Sequence, residues 1–184
     1  MTVTIEAVKK HGTATSEETD FEAIFHEHWP RVFGVLCRLT DDPDEAQDLA
    51  LEVFCRLYQQ PPAQNNNAQS IGGWLYRVAT NLGYNALRAW KRRARYEQQA
   101  GVQALESENA SDPAEAAERR IERQHVRHTL AQMKSRSAQL LILRHSGLSY
   151  AEIAAALKLS SSSVGTLLAR AEQEFEHLYQ KLER

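Results

Sequence analysis

IGGWLYRVATNLGYNALRAWKRRARY, residues 71–96, is the stretch whose reading decides the fold. It holds six Arg or Lys residues and no Asp or Glu. Read as one helix, it sorts by face. Arg77, Asn81, Asn85, Arg88 and Arg92 recur every three or four residues and share one polar side. Trp74, Leu75, Val78, Leu82, Ala86 and Ala89 fall largely on other sides and suit a buried stripe. Arg and Asn are well suited to hydrogen-bond phosphates and base edges. Trp90, Tyr84 and Tyr76 lie in the same stretch and offer rings on which unstacked bases can rest. The pattern points to nucleic acid, although a solvated helix face would carry similar charge.

Charge is arranged in blocks around this stretch. Residues 41–60 have net charge −5 and residues 71–96 have +6. Residues 97–122 return to −5, and residues 123–144 carry +5. The total of −2 conceals this pattern, which suggests separate surfaces for separate partners. At 184 residues and 42% hydrophobic content, two small cores joined by polar sequence are expected. Cys37 and Cys55 sit inside apolar helical patterns and read as reduced thiols. With no run of membrane-spanning length and no secretory start, a cytoplasmic protein without membrane insertion is expected.

Upstream, residues 1–19 are polar and predict a disordered tail. Asp20 can cap a helix carrying Phe21, Ile24 and Phe25, and Pro30 suggests that a second helix begins there. His26 and His28 are two apart, so on a helix their rings diverge, and no metal site is expected. The next helix starts at Asp42-Pro43-Asp44-Glu45, with Asp42 as cap and Glu45 closing a capping box. Ala46, Leu49, Ala50, Val53, Phe54, Leu57 and Tyr58 form its apolar stripe. Asp44, Glu45, Asp48 and Glu52 form an acidic flank. Macrodipole complementarity accounts for acids in a first turn, but not for Asp48 and Glu52. A basic protein partner would use them. QQPPAQNNNAQS, residues 59–70, reads as a loop whose Asn65, Asn66 and Asn67 can be idle linker or can read base edges. Ser70 can cap the helix that follows.

Downstream, residues 97–112 read as a flexible acidic linker. A second unit opens at Asp112-Pro113, with Ala117, Ile121, Val126, Leu130 and Met133 as buried positions. His125 and His128 are one turn apart and read as a surface pair, not metal ligands. Ser137–His145 predicts a short helix ended by Gly147. Ser149-Tyr150-Ala151-Glu152 is a capping box starting a short helix through Leu157. After the turn Lys158-Leu159-Ser160, a longer helix runs from Ser161 toward Leu182. Ile153, Ala154, Leu157, Leu159, Val164 and Leu168 are spaced to bury the angle between these two, a helix-turn-helix pattern.

Two segments in this order resemble one family. LTDDPDEAQDLALEVFCRLYQQ followed by IGGWLYRVATNLGYNALR resembles the first domain of extracytoplasmic-function sigma factors. LRHSGLSYAEIAAALKLSSSSVGTLLARAEQEF resembles their second. The resemblance implies a bacterial transcription initiation factor that binds core RNA polymerase and recognises and melts promoter DNA. It implies that Asp48, Glu52 and Phe54 dock on the polymerase large subunit. It implies that Asn65, Asn66, Asn67, Arg77, Asn81, Asn85, Arg88, Lys91 and Arg92 meet the melted strand of the minus-ten element. The second domain would read the minus-thirty-five element as duplex. An anti-sigma partner is also implied. One departure stands out. The family's recognition helix usually has Lys and Arg just after its Val, where this chain has Gly165 and Leu167. Ser160, Ser161, Ser162, Ser163, Thr166 and Arg170 remain as contacts, so weak or unusual minus-thirty-five recognition is expected. Each lost phosphate contact flattens salt dependence by roughly 0.9 log units per decade. An exposed Leu167 would instead suit another protein.

The expectation is therefore all-α: two small helical domains joined by a flexible linker, the second containing a helix-turn-helix. The bounds are a tail at 1–19, a first domain at 20–96, a linker at 97–112 and a second domain at 113–184. No catalytic residues, cofactor or metal are expected, since no nucleophile–base set, Gly-rich phosphate loop or metal constellation is present. The alternatives are a helix-turn-helix regulator acting without polymerase, and a sigma-like protein-interaction module.

Overall fold

The computed structural model describes residues 16–62, 71–100 and 113–182. Among the described residues the structure is entirely helical. The elements are α1 (Ser16–Thr40), α2 (Pro43–Gln59), α3 (Ile71–Ala100), α4 (Pro113–Gln132), α5 (Ser135–His145), α6 (Tyr150–Leu157) and α7 (Ser161–Leu182). Helices α1, α2 and α3 pack together, α4 to α7 form a second group, and the two groups meet chiefly along α3. Residues 1–15 of the expected tail and the three asparagines at 65–67 lie outside the described residues, as do Ser70, Asp112 and residues 101–112 of the expected linker. α1 begins at Ser16, inside the expected tail, so Asp20 is within the helix and not its cap. α3 continues through residues 97–100, beyond the expected end of the first unit.

The break expected at Pro30 does not occur: α1 runs through it. Proline forfeits one helical hydrogen bond and crowds the preceding turn. Here an aromatic ladder spans the defect and holds the helix to its neighbour. Phe25 stacks on Trp29 at 4.9 Å, and Trp29 on Phe33 at 6.1 Å. Phe54 of α2 packs beneath, 4.8 Å from Phe25 and 5.9 Å from Trp29. α2 starts as its sequence dictates: the Asp42 carboxylate accepts from the backbone N–H of Asp44 and Glu45 at 2.9 and 3.2 Å. The Asp42 N–H, which a capping box would give to Glu45, goes instead to Thr40 Oγ1 at 3.3 Å.

In the second group the ends of the helices are tied by side chains from elsewhere. α5 begins at Ser135, two residues earlier than expected, and Lys134 at its N-cap makes no side-chain capping bond. Glu174 of α7 supplies the cap: its carboxylate accepts from the Lys134 N–H at 2.9 Å and the Ser137 hydroxyl at 2.7 Å. At the other end of α5, Gly147 adopts φ +82°, and the N–H of Leu148 reaches back to the Leu143 carbonyl at 3.2 Å. That left-handed closure favours glycine. The Ser149–Glu152 capping box starts α6 as predicted. Lys158, at φ 53°, turns the chain into α7. Arg136 donates to the Leu157 carbonyl at 2.8 Å and closes the end of α6. Val164, Leu168 and Ala171 of α7 bury the angle against Ile153, Ala154 and Leu157. Ile121, expected inside, is 54% exposed, whereas Leu130 and Met133 are buried as expected.

The buried side of α3 is rotated from the expected stripe. Leu75 is buried, but Trp74, Val78, Leu82, Ala86 and Ala89 are only half-buried. The fully buried positions also include Tyr76, Ala79, Thr80, Gly83, Tyr84 and Leu87. The rotation follows from having neighbours on two sides: α1 and α2 on one, the second helical group on the other. Gly83 marks the closest approach to α1. A Cβ there would lie 2.6 Å from Leu39 Cδ1, 3.1 Å from Leu36 Cδ2 and 3.2 Å from Leu39 Cβ. Both leucines are buried and cannot swing clear. In an open helix, Gly→Ala gains about 1 kcal/mol. Here Gly83→Ala is expected to destabilise by about 1–3 kcal/mol through overpacking. Urea unfolding monitored by far-UV circular dichroism measures this directly, and a rise in stability would contradict the packing.

Candidate nucleic-acid interface

The row predicted on α3 exists as one face. Asn81, Asn85, Arg88 and Arg92 are exposed, and Arg77 and Lys91 are half-buried. Burial holds the charged form of Arg77 back from its ordinary strength. Burial also lowers the pKa of Lys91, with Arg88 and Arg95 adding like-charge repulsion. Such a cluster of cations is eased by a polyanion, which is the electrostatic condition for binding a phosphate chain.

The aromatic residues expected to help with unstacked bases are otherwise engaged. Tyr76 is buried, its hydroxyl 3.4 Å from His28 Nδ1. Tyr84 is 6% exposed and donates to the Met133 carbonyl at 2.7 Å. Trp90 lies nine residues from Asn81, so it projects from roughly the opposite side of α3. It is covered there by the Arg127 guanidinium, 4.0 Å over the ring, and by the His128 edge at 4.7 Å. In this arrangement none of the three rings is presented for stacking.

The second group lies over one end of the row. Asn81 Oδ1 accepts from Gln139 Nε2 of α5 at 2.7 Å. Nearby, Arg31 of α1 pairs with Glu152 of α6 at 2.8 Å. Glu152 is doubly used: its other oxygen accepts from the Ser149 N–H and hydroxyl at 2.8 and 2.7 Å. The Ser149 backbone bond chiefly holds its carboxyl below the ordinary glutamate range, with help from the Ser149 hydroxyl and Arg31. A longer pair, Arg123 with Asp41 at 3.8 Å, stands at the far side. Between α1 and α4 an open cleft of about 670 Å³ remains, lined by Phe33, Cys37, Arg38, Arg123, Val126 and Arg127 among others.

On α2, Asp44, Asp48 and Glu52 are exposed, and Glu52 pairs with Arg56 one turn on. Phe54 belongs elsewhere. At 2% exposure, under the aromatic ladder, it cannot touch a partner and instead fixes the helix that carries the acids. Sequence reasoning missed two residues here. Leu51 is 43% exposed and Tyr58, placed in the apolar stripe, is 67% exposed. They are seven apart, on one face, beside Glu52. A leucine interrupting an otherwise acidic face was the available signal.

On the helix-turn-helix, Ser160, Ser161, Ser162, Thr166 and Arg170 are exposed, and Ser163 is half-buried. Ser160 and Ser163 share a hydroxyl–hydroxyl bond of 2.6 Å at the start of α7. Leu167 is half-buried and packs against the core, so it is not the protein-facing residue considered above. Gly165 faces Tyr150, whose ring carbon would lie 3.5 Å from a Cβ. Among the described residues, no group of three His, Cys, Asp or Glu side chains could hold a metal ion. No helix among them is long and apolar enough to cross a membrane.

Comparison with known proteins matches this layout. The family described as Sigma-70 region 2 matches residues 24–97, and that described as Sigma-70, region 4 matches residues 123–175. The chain belongs to the sigma-70 family. Its two-region make-up is that of the extracytoplasmic-function type. RNA polymerase sigma-H factor of Pseudomonas aeruginosa is 28% identical over 171 residues, covering 89% of this chain and 88% of that protein. ECF RNA polymerase sigma factor SigE of Mycolicibacterium smegmatis is 30% identical over 109 residues, 55% of this chain and 40% of that protein. In fold, the chain is similar to the sigma factor RpoE solved with the anti-sigma factor NepR from Bartonella quintana. That match has a TM-score of 0.53 at 18% identity and covers 90% of this chain and 99% of that one.

Two titratable groups, His128 and Glu152, stand at or beside the seam between the two helical groups of this sigma factor. Burial lowers the His128 pKa, and the like charges of Lys91, Arg127 and His125 add to the effect, against a raising bond to the Gln124 carbonyl. A depressed histidine favours the neutral ring in the docked state. A depressed glutamate favours the carboxylate in the folded second group, chiefly through the Ser149 backbone bond that starts α6. Both contributions are present at neutral pH. His128's is lost as pH falls below about 6.5, and Glu152's below about 4.3. Protection factors along α6, corrected for the slower intrinsic amide exchange in acid, should therefore fall on acidification before those of α1 and α2. Protection along α6 that holds or rises at low pH would contradict the assignment.

Proposed function

We propose that this sigma factor divides its work among three surfaces. The exposed acids of α2, Asp48 and Glu52, with Leu51 and Tyr58 beside them, meet a basic, partly apolar face of core RNA polymerase. Arg77, Asn81, Asn85, Arg88, Lys91 and Arg92 of α3, with Asn65, Asn66 and Asn67 before it, hold the separated strand of the minus-ten element. Ser160, Ser161, Ser162, Ser163, Thr166 and Arg170 meet the minus-thirty-five duplex. We take the working units as 20–96 and 113–184, and the site of action as the cytoplasm, where the polymerase is. Phosphoryl transfer belongs to the polymerase; this chain contributes placement and strand capture. A partner that holds it inactive, an anti-sigma factor, belongs to the same reading.

The observation that carries the proposal is the ordering of α3. Its amides and guanidiniums line one side, while the acids stand on the adjacent helix α2 of the same bundle. One helix can then grip DNA while its neighbour grips protein. Tethering both in one rigid bundle makes strand capture effectively intramolecular once polymerase is engaged. A regulator working without polymerase would have no use for the α2 acids.

Asp48→Lys with Glu52→Lys is expected to weaken core polymerase binding by about tenfold or more, roughly 1.4 kcal/mol, through like-charge contact. The helix should stay folded, since both side chains are exposed. Unchanged affinity in a fluorescence-anisotropy titration against core would remove α2 from the interface. Asn85→Ala and Arg88→Ala should leave that affinity intact but lower the yield of opened promoter, scored by permanganate reactivity of unpaired thymines. Equal opening by the variants and the parent would take α3 out of strand capture.

A further inference from the structure

We propose that the last turns of α3 form a further DNA site, in which Tyr96 stacks on the terminal base pair of the duplex just upstream of the opened strand, while Arg93 and Arg95 hold its phosphates. The inference rests on the assignment of α3 to the minus-ten strand made above. Arg93, Arg95 and Tyr96 lie beyond the row assigned there. Tyr96 follows Asn85 by eleven residues, about three turns and 20°, so its ring continues the line of the reading amides. Arg92 and Arg93 stand one turn before it, to either side. Arg92, Arg93, Arg95 and Tyr96 are all exposed. At 70%, Tyr96 is the most exposed large apolar side chain among the described residues. The back of the same segment is covered: Ala94 is half-buried, and Trp90, one turn before it, lies under Arg127. Among the described residues, no acid pairs with Arg92, Arg93 or Arg95. A flat ring flanked by guanidiniums suits the end of a base stack, with the π-face on the base and the cations on the phosphates beside it.

Chain length fixes which end of the DNA this segment meets. Elements centred near minus ten and minus thirty-five are about 25 base pairs apart, or some 85 Å of duplex at about 3.4 Å per pair. Residues 101–112, fully extended, reach roughly 45 Å. From Asn81 to Ala100, α3 adds about 28 Å at 1.5 Å per residue. With the end of α3 directed upstream, these lengths and the width of the second unit cover the gap. With that end directed downstream, the gap would exceed the chain. Tyr96 therefore lies on the upstream side of the amides, where the separated strands rejoin as duplex.

The test uses the full chain assembled with core RNA polymerase, and two probes from a promoter on which it initiates. One is a fork, duplex upstream with the minus-ten strand single; the other is that single strand alone. Tyr96→Ala is expected to weaken fork binding about five- to tenfold and strand binding by less than about twofold. Tyr96→Phe, which keeps a ring, should bind the fork as the parent does. Arg93→Ala with Arg95→Ala should flatten the salt dependence of fork binding by roughly 1.8 log units per decade and leave that of the strand unchanged. Asn85→Ala with Arg88→Ala is the reference and should weaken both probes. If the reference weakens both and Tyr96→Ala changes neither, the inference fails alone. Equal losses on fork and strand from Tyr96→Ala would put the ring inside the open strand and also overturn it. A reference variant that weakens neither probe would sink the assignment of α3 itself, and this inference with it.

Discussion

Everything in this structure depends on how many sides of α3 can be served at once. Its thirty residues carry an aliphatic and tyrosine side toward α1 and α2, a polar row toward solvent, and flanks that receive the second helical group. Gly83 lets α1 come close, with Leu36 and Leu39 filling the space a Cβ would take. Tyr84 spans two roles, its ring buried and its hydroxyl tied to the Met133 carbonyl across the seam. A buried hydroxyl without that carbonyl would cost about 1–3 kcal/mol. Tyr84 thus makes α3 part of the seam as well as part of the first bundle.

The acidic helix and the basic helix divide the labour that one surface could not perform. A face that draws in phosphate repels an acidic protein surface, and the reverse holds for α2. Separating them onto neighbouring helices of one bundle lets polymerase and DNA be engaged together. Phe54 shows how this is supported from below: its ring, wedged against Phe25 and Trp29, fixes the helix on which Asp48 and Glu52 stand. Glu174 does the same for the second group. Its carboxylate, on α7, caps α5.

Periodicity and caps made most of the fold legible. Asp42, the Ser149–Glu152 box and Gly147 mark helix ends where the structure has them, because each acts through bonds to residues within a few positions. The cationic row on α3 was legible for the same reason: a helix fixes which side chains share a face. What failed involved distant partners. Pro30 looked like a boundary because the ladder from Phe25 to Phe33 that carries the helix through it is tertiary. Tyr76, Tyr84 and Trp90 looked available to bases because nothing local reveals His28, Met133 and Arg127. Phe54 and Tyr58 fit the same apolar period, yet only Phe54 is buried; Tyr58 is exposed, and the docking role that the resemblance implied for Phe54 does not suit its buried ring. Docking of the two groups had no sequence signature at all. It rests on single pairs such as Arg31 with Glu152, separated by 121 positions.

The central claim is that this chain turns core polymerase into a promoter-specific enzyme by gripping separated DNA. Multi-template run-off transcription with core polymerase, followed by sequencing of the transcript starts, tests it most directly. The account predicts transcripts only when this protein is present, with starts at a fixed distance downstream of a shared pair of upstream elements. Starts scattered without a common upstream sequence, or no dependence on the protein, would contradict it.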